Sequence, residues 1–154
     1  FFVKDPVELR IDSAPHVHSH LRAHPNRPEL GSRELNSNGQ FYISKEDKHE
    51  VHDGHLVRLM DCINFIKQGE TYTFHSTGIE AFRGVGKKII HWLPIIPELV
   101  KAKVLMPDGT WAEGLAEPGA RQLTAGAILQ FERFGFVRYD REEDGVRIFW
   151  FAHK

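Results

Sequence analysis

The sequence predicts an all-β fold of the barrel class, with few short helices. Three observations carry that expectation. Short stretches rich in Val, Ile and Phe recur along nearly the whole chain, turn residues punctuate them, and no long stretch follows the 3.6-residue apolar period of an amphipathic helix.

In chain order the expected strands are Phe1 to Ile11, Gly39 to Ile43, Leu56 to Ile66, Thr71 to Ser76, Lys88 to Leu93, Lys101 to Met106, Ile128 to Tyr139 and Val146 to Ala152. Turns are signalled by Asn38-Gly39, Asp53-Gly54, Pro107-Asp108-Gly109 and Asp144-Gly145, where glycine supplies the positive φ that tight turns require. Pro97 to Leu99 and Pro118 to Leu123 are short helical candidates. The stretch Asp12 to Asn38 is poor in strand signals and holds His16, His18, His20 and His24 among prolines, Ser and Asn. It exceeds the roughly 12 to 15 residues of an idle connection, so it reads as a packed, contact-making loop.

A chain of 154 residues with 41% hydrophobic residues can bury one core, or two small cores sharing an interface. It is too short for two full catalytic domains. The formal charge is −1, from 20 basic and 21 acidic residues, so any polyanion must be met by a local patch rather than a global field. The single cysteine, Cys62, excludes an internal disulfide and suits a reducing compartment, with a buried thiol as the default. No stretch approaches the roughly 18 to 20 apolar residues of a membrane span. The start, Phe-Phe-Val-Lys-Asp-Pro, has no signal-peptide pattern. A soluble, cytoplasmic protein is expected, and a start without methionine reads as the C-terminal piece of a longer one. Nothing repeats at a fixed period, which removes solenoid readings.

Candidate chemistry concentrates in three places. Residues 126 to 154 set Gln130, Glu132, Arg133 and Arg138 among Phe131, Phe134, Phe136, Tyr139, Phe149, Trp150 and Phe151. Such a surface can stack bases and read their edges, while its plain alternative is an aromatic β-core. The second place is histidine-rich: His16, His18 and His20 alternate, and His49, His52 and His55 recur at three-residue spacing. Imidazole is a common metal ligand, so a cupin-like, His-rich metal-binding β-barrel enzyme is the alternative function. Neither cluster has an evident Glu or Cys ligand beside it, and the neighbouring prolines argue against a regular strand, so solvated loop histidines with no bound metal are favoured. The third is Gly84-Val85-Gly86-Lys87-Lys88, which resembles a phosphate loop but precedes a strand rather than a helix N-terminus. It reads as a flexible basic turn able to touch a nucleic-acid backbone. Nucleophile-elbow and dinucleotide-binding motifs are absent.

Several motifs in order carry a resemblance: Val3-Lys4-Asp5-Pro6-Val7, His24-Pro25-Asn26-Arg27-Pro28-Glu29-Leu30-Gly31-Ser32-Arg33, Val57-Arg58-Leu59-Met60-Asp61, Lys88-Ile89-Ile90-His91-Trp92-Leu93-Pro94, Gly114-Leu115-Ala116-Glu117-Pro118 and Gln130-Phe131-Glu132-Arg133. Together they resemble the C-terminal anticodon-binding region of the class I glutamyl- and glutaminyl-tRNA synthetases, over nearly the whole chain. The compact form and the ending Phe-Trp-Phe-Ala-His-Lys look most similar to the archaeal-type glutamyl branch.

The resemblance implies two ribosomal-protein-like barrels: a proximal one from residues 1–43 and 112–154, and a distal one from 44–111. It implies a binding module for the tRNA anticodon stem-loop, joined to a catalytic domain in the same polypeptide, with no DNA or membrane partner. ATP and Mg would act in the parent's catalytic domain, which joins glutamate to tRNA. This chain would bind no cofactor, carry no catalytic residue and be inactive alone. Gln130 and Arg133 are implied as readers of the middle anticodon base, with Glu132 as their orienting partner. Asn26 is implied at the anticodon loop, Arg58 near the wobble base, and Lys87, Lys88 and Arg83 at phosphates. Met60 and Asp61 depart from the glutaminyl pattern beside Arg58, and a further arginine for the middle base would precede Phe1. Trp92 and Pro94 are expected in the core and at a corner.

Overall fold

The computed structural model describes every residue except His24, Pro25 and Arg27, and leaves the Leu30 side chain undescribed. The described chain is all-β, with sheets curled into half-barrels. Its first strands are β1 (Phe2–Lys4), β2 (Pro6–Arg10), β3 (Val17–Arg22), β4 (Ser32–Ser37) and β5 (Gln40–Ser44). A six-residue helix, α1 (Lys45–Glu50), precedes β6 (Leu56–Leu59), β7 (Asn64–Gln68), β8 (Thr71–Ser76), β9 (Lys88–Ile90) and β10 (Leu93–Pro94). The last strands are β11 (Val100–Leu105), β12 (Trp111–Ala116), β13 (Ile128–Phe131), β14 (Gly135–Glu143) and β15 (Val146–His153). Short 3₁₀ turns cover Pro28–Leu30 and Pro118–Gln122, the second where a helical candidate was expected.

Four sheets result. The largest runs β1-β12-β11-β15-β14-β13, and the others are β10-β5-β2, β3-β4 and β8-β7-β6-β9. Among the described residues, all strand pairings are antiparallel except β11 with β15 and β6 with β9. A parallel bridge between Asp12 and Thr73 joins the end of β2 to β8.

The glycine turns fall where expected, at Gly39, Gly54, Gly109 and Gly145, each with φ between 75° and 84°. Three expected strands are instead broken in the middle. Phe1 to Ile11 divides at Asp5, Leu56 to Ile66 at Asp61, and Ile128 to Tyr139 at Arg133, with φ of 45°, 52° and 61°. A non-glycine residue in the left-handed region reverses or bends the chain without any glycine to announce it.

The stretch Asp12 to Asn38 is not a loop but a hairpin, β3 with β4, in register from Val17 opposite Ser37 to Arg22 opposite Ser32. Val17, Ser19 and Leu21 point inward and His18 and His20 outward, which is the period of a half-buried strand. Pro15 precedes the strand and Pro28 follows it, so neither interrupts its ladder. The helix α1 was also unforeseen, although Ser44-Lys-Glu-Asp is a capping signature: Ser44 Oγ accepts from the Asp47 amide at 3.0 Å.

Buried apolar side chains form two clusters. One holds Leu9, Ile11, Val17, Leu21, Phe41, Ile43, Val57, Phe65, Ile90 and Trp92; the other holds Phe2, Val104, Ala112, Phe131, Val137, Tyr139 and Phe149. Strand β1 walls both, since Val3 enters the first cluster, with Phe1 just before the strand, and Phe2 the second. Leu9, Phe41 and Ile43 therefore share a cluster with Val57 and Phe65, across the expected boundary at residue 43. Cys62 is buried in the first cluster, and burial pushes its thiol up to about 11, so it stays protonated and inert. No helix among the described residues is long and apolar enough to cross a membrane.

Candidate functional site

The hairpin of β13 and β14 reverses through Glu132, Arg133 and Phe134, closed by the Phe134 amide on the Phe131 carbonyl at 2.9 Å. Arg133 takes the third turn position with φ 61°, where a type II turn ordinarily puts glycine. A displacement of about 1 to 3 kcal/mol is typical for such a residue, and a fixed partner offsets it here. Arg133 Nη1 and Nη2 donate to the two carboxylate oxygens of Asp47 at 2.8 and 2.9 Å. Nη1 also donates to His91 Nδ1 at 2.9 Å. These bonds join α1, the residue after β9 and the β13–β14 turn, so they tie the two hydrophobic clusters together.

Asp47 is buried on α1. Burial alone would raise its carboxyl, but the hydrogen bonds and charges of Arg133 and Lys88 outweigh that and hold it well below the usual carboxylate range. Lys88 Nζ approaches Asp47 Oδ1 at 2.8 Å and also pairs with Glu50. Burial would lower the Lys88 ammonium, yet these two carboxylates raise it. Burial, with Arg133 beside it, pushes His91 down to about 4. Arginine only donates, so Nδ1 accepts and the proton of the neutral imidazole lies on Nε2.

A pH dependence follows from His91. Its native value lies below the unfolded one, so between pH 6.5 and about 4 the unfolded chain binds the extra proton. Stability is therefore full above pH 6.5 and falls through that window by up to roughly 3 kcal/mol. Urea midpoints at pH 7.5 and 4.5 measure the loss, and His91→Phe is expected to flatten it. The contribution of Asp47, whose value is depressed, is lost only at still lower pH.

The other expected site residues are placed as follows. Gln130 is exposed on β13 opposite Phe136. Glu132 is exposed, and among the described residues no hydrogen bond joins it to Gln130 or Arg133. The carboxylate that orients Arg133 is Asp47, 86 positions away. Lys88 is engaged by Asp47 and Glu50, whereas Lys87 is exposed and Arg83 is exposed and paired with Glu80 at 2.9 Å. The turn carrying them is packed rather than loose: a Cβ on Gly86 would lie 2.1 Å from the Phe82 ring. Asn26 is exposed in a turn, while His24, Pro25 and Arg27 of its motif lie outside the described residues.

Arg58 is only 8% exposed. Its Nη1 donates to Asn64 Oδ1 at 2.9 Å and to the Thr77 carbonyl at 3.0 Å, and Asn64 in turn donates to Ser76 Oγ and the Gly78 carbonyl. Burial lowers its guanidinium value. Among the described residues it makes no direct ion pair, and the Asp61 charge that acts on it only partly offsets the burial. The buried Asn64, which fixes Arg58, gave no signal in the sequence beyond its place in a strand.

The aromatics of residues 126–154 divide between core and surface. Phe131, Tyr139 and Phe149 are buried, Phe134, Phe136 and Phe151 are half-buried, and Trp150 is 47% exposed opposite Arg138. Among the described residues, His18, His20, His52 and His55 form no comparable site. His18 bonds Asn36 at 2.9 Å, His20 faces Glu34 at 3.6 Å, and the His52 and His55 rings lie 5.2 Å apart. Among the described residues no three His, Cys, Asp or Glu are placed to hold a metal.

Residues 1–79 match the family model described as the anticodon-binding domain of the class I tRNA synthetases (E and Q), and residues 89–140 match a second model of the same description. The chain belongs to this anticodon-binding family. As a member it is similar over its full length to the glutamate–tRNA ligase of Methanothermobacter thermautotrophicus, at 39% identity, with 27% of that protein covered. The Methanocaldococcus jannaschii and Pyrococcus abyssi glutamate–tRNA ligases are each 38% identical over the full chain, with 28% covered. The chain thus spans little more than a quarter of these relatives. Family membership displaces the cupin-like enzyme reading of the histidines.

Proposed function

We propose that this chain is the tRNA-recognition module of a glutamate–tRNA ligase, binding the anticodon stem-loop while a catalytic domain of the same polypeptide joins glutamate to the tRNA with ATP. The observation that carries this reading is the match of both parts of the chain to anticodon-binding models, with full-length similarity to archaeal glutamate–tRNA ligases. In this reading the chain binds no cofactor, ATP and Mg act in the catalytic domain, the isolated module is inactive, and the parent works in the cytoplasm. The two hydrophobic clusters meet along β1, and the Asp47–Arg133 pair bonds the elements around them.

The geometry supports particular roles. Exposed Gln130 offers an amide donor and acceptor to a base edge, and Arg133 beside it offers a guanidinium already held in place. Arg58, nearly buried and held by neutral groups, Asn64 and the Thr77 carbonyl, suits an RNA phosphate or base carbonyl as its direct acidic partner. Lys87, Arg83 and Asn26 are surface groups that position the backbone. Lys88 acts at one remove, through Asp47.

Competition binding with anticodon hairpins carrying glutamate, glutamine and unrelated triplets tests the reading, and equal affinity for all three would overturn it. Arg133→Ala is expected to weaken the glutamate hairpin by about 1 to 3 kcal/mol, with a smaller effect on unrelated hairpins. Lys87→Ala is expected to weaken all three alike and to reduce the salt slope by about one.

A further inference from the structure

We infer that Asp47, with His91, is a positioning residue for base reading, holding Arg133 by its terminal edge and leaving its Nε–Nη2 edge for a carbonyl acceptor on a splayed-out base. This deepens the anticodon reading and rests on it. A guanidinium has five N–H donors in a planar fork. Both Nη1 hydrogens are used, one by Asp47 Oδ2 and one by His91 Nδ1, and one Nη2 hydrogen goes to Asp47 Oδ1. The two that remain, on Nε and Nη2, lie parallel on one side of the group and have no partner among the described residues. The side chain keeps 30% of its surface exposed.

The holders are themselves held. Asp47 is 5% exposed at its side chain, its amide is capped by Ser44, and Lys88 Nζ sits on its Oδ1 at 2.8 Å. Lys88 is pinned on its other side by Glu50. His91 presents a neutral acceptor, because its Nδ1 takes the Arg133 Nη1 hydrogen and its surroundings oppose a second proton. The charged groups facing it are Arg133 and Asp47, together with the chain's amino group at Phe1. A guanidinium fixed in plane before RNA arrives loses little rotational freedom on binding, and its direction is set to one register of donors. That is a device for discrimination, since a base presenting a donor at that point meets another donor. The sequence offers Glu132 as the neighbour for this task, but the carboxylate that performs it comes from a helix 86 positions away.

Fluorescence anisotropy with labelled anticodon hairpins, one glutamate triplet and one with its middle base exchanged, reads the effect on the intact 154-residue chain. Asp47→Asn is expected to reduce the ratio of the two affinities about tenfold, with a smaller effect on the exchanged hairpin. His91→Phe removes one acceptor without removing charge and is expected to reduce the ratio by a smaller factor; it serves where Asp47→Asn does not stay folded, as judged by its thermal melt. In an Arg133→Ala background neither change is expected to reduce the ratio further, because both act through that side chain. A folded Asp47→Asn or His91→Phe chain that discriminates like wild type would mark a purely structural clamp and overturn the inference. So would an additional loss of discrimination in the Arg133→Ala background. If the wild-type chain binds both hairpins alike, the anticodon reading itself falls; if wild type discriminates and Arg133→Ala does so equally, only the role of Arg133 and its holders falls.

Discussion

Trp92→Ala is expected to lower the stability of this chain by about 3 to 5 kcal/mol, a large part of the roughly 5 to 15 kcal/mol available to a domain of ordinary stability. Trp92 is fully buried. Its ring meets Phe41 edge-on, with centroids 5.1 Å apart at 87°, and its Nε1–H donates to the Met60 carbonyl at 2.9 Å. Truncation to alanine opens a cavity beside Phe41 and strands that carbonyl. The cavity should dominate, because a typical hydrogen bond contributes only about 1 kcal/mol net, whereas deleting a large buried ring removes both transfer and packing energy. Trp92→Phe separates the two terms: it keeps much of the apolar volume but removes the donor, so a loss of about 1 to 3 kcal/mol is expected. Urea unfolding followed by circular dichroism measures both. Equal losses for the two variants would mean that the hydrogen bond, not the packing, dominates.

Gly114→Val is the second large effect, expected at about 3 kcal/mol or more. Gly114 sits on β12 opposite Lys4 of β1 and Ala102 of β11. A Cβ there would lie 2.0 Å from the Val3 carbonyl oxygen, 2.8 Å from its carbon and 3.0 Å from Lys4 Cα. Every one of these atoms is backbone, so no side-chain rotation relieves the clash and β1 itself must move. Because β1 sends Phe2 into one cluster and Val3 into the other, its displacement loosens both. Gly119→Ala is the control: a Cβ there meets nothing within 4 Å, and its urea midpoint is expected to stay within about 0.5 kcal/mol of wild type. A Gly114→Val midpoint that also stays there would show that β1 contributes little.

Much of the architecture could be read from residue order because it is governed by local rules. Alternation marked most of the strands, and Asn38-Gly39, Asp53-Gly54, Pro107-Asp108-Gly109 and Asp144-Gly145 turn where glycine permits. Alternation does not reveal a reversal at a single non-glycine residue, so Asp5, Asp61 and Arg133 were hidden inside expected strands. The β3 strand was obscured by composition: histidine and proline suggested a loop, while the small inward set Val17, Ser19 and Leu21 was enough to bury one face. Among site residues, exposed Gln130 and Lys87 matched their expected surface positions, whereas the burial of Arg58 and the capture of Lys88 by acids did not follow from their types.

Residue order alone dictates an all-β chain, the positions of its glycine turns, the core place of Trp92 and a family resemblance carried by ordered motifs. Packing between distant segments set Arg133 in the grip of Asp47 and His91 rather than of Glu132. It also decided that Arg58 rests on Asn64 and the Thr77 carbonyl. The physical reason lies in range: φ preferences and alternation act between neighbouring residues, whereas an ion pair is chosen by distance in space and by exclusion of water, which depend on how strands far apart in sequence pack.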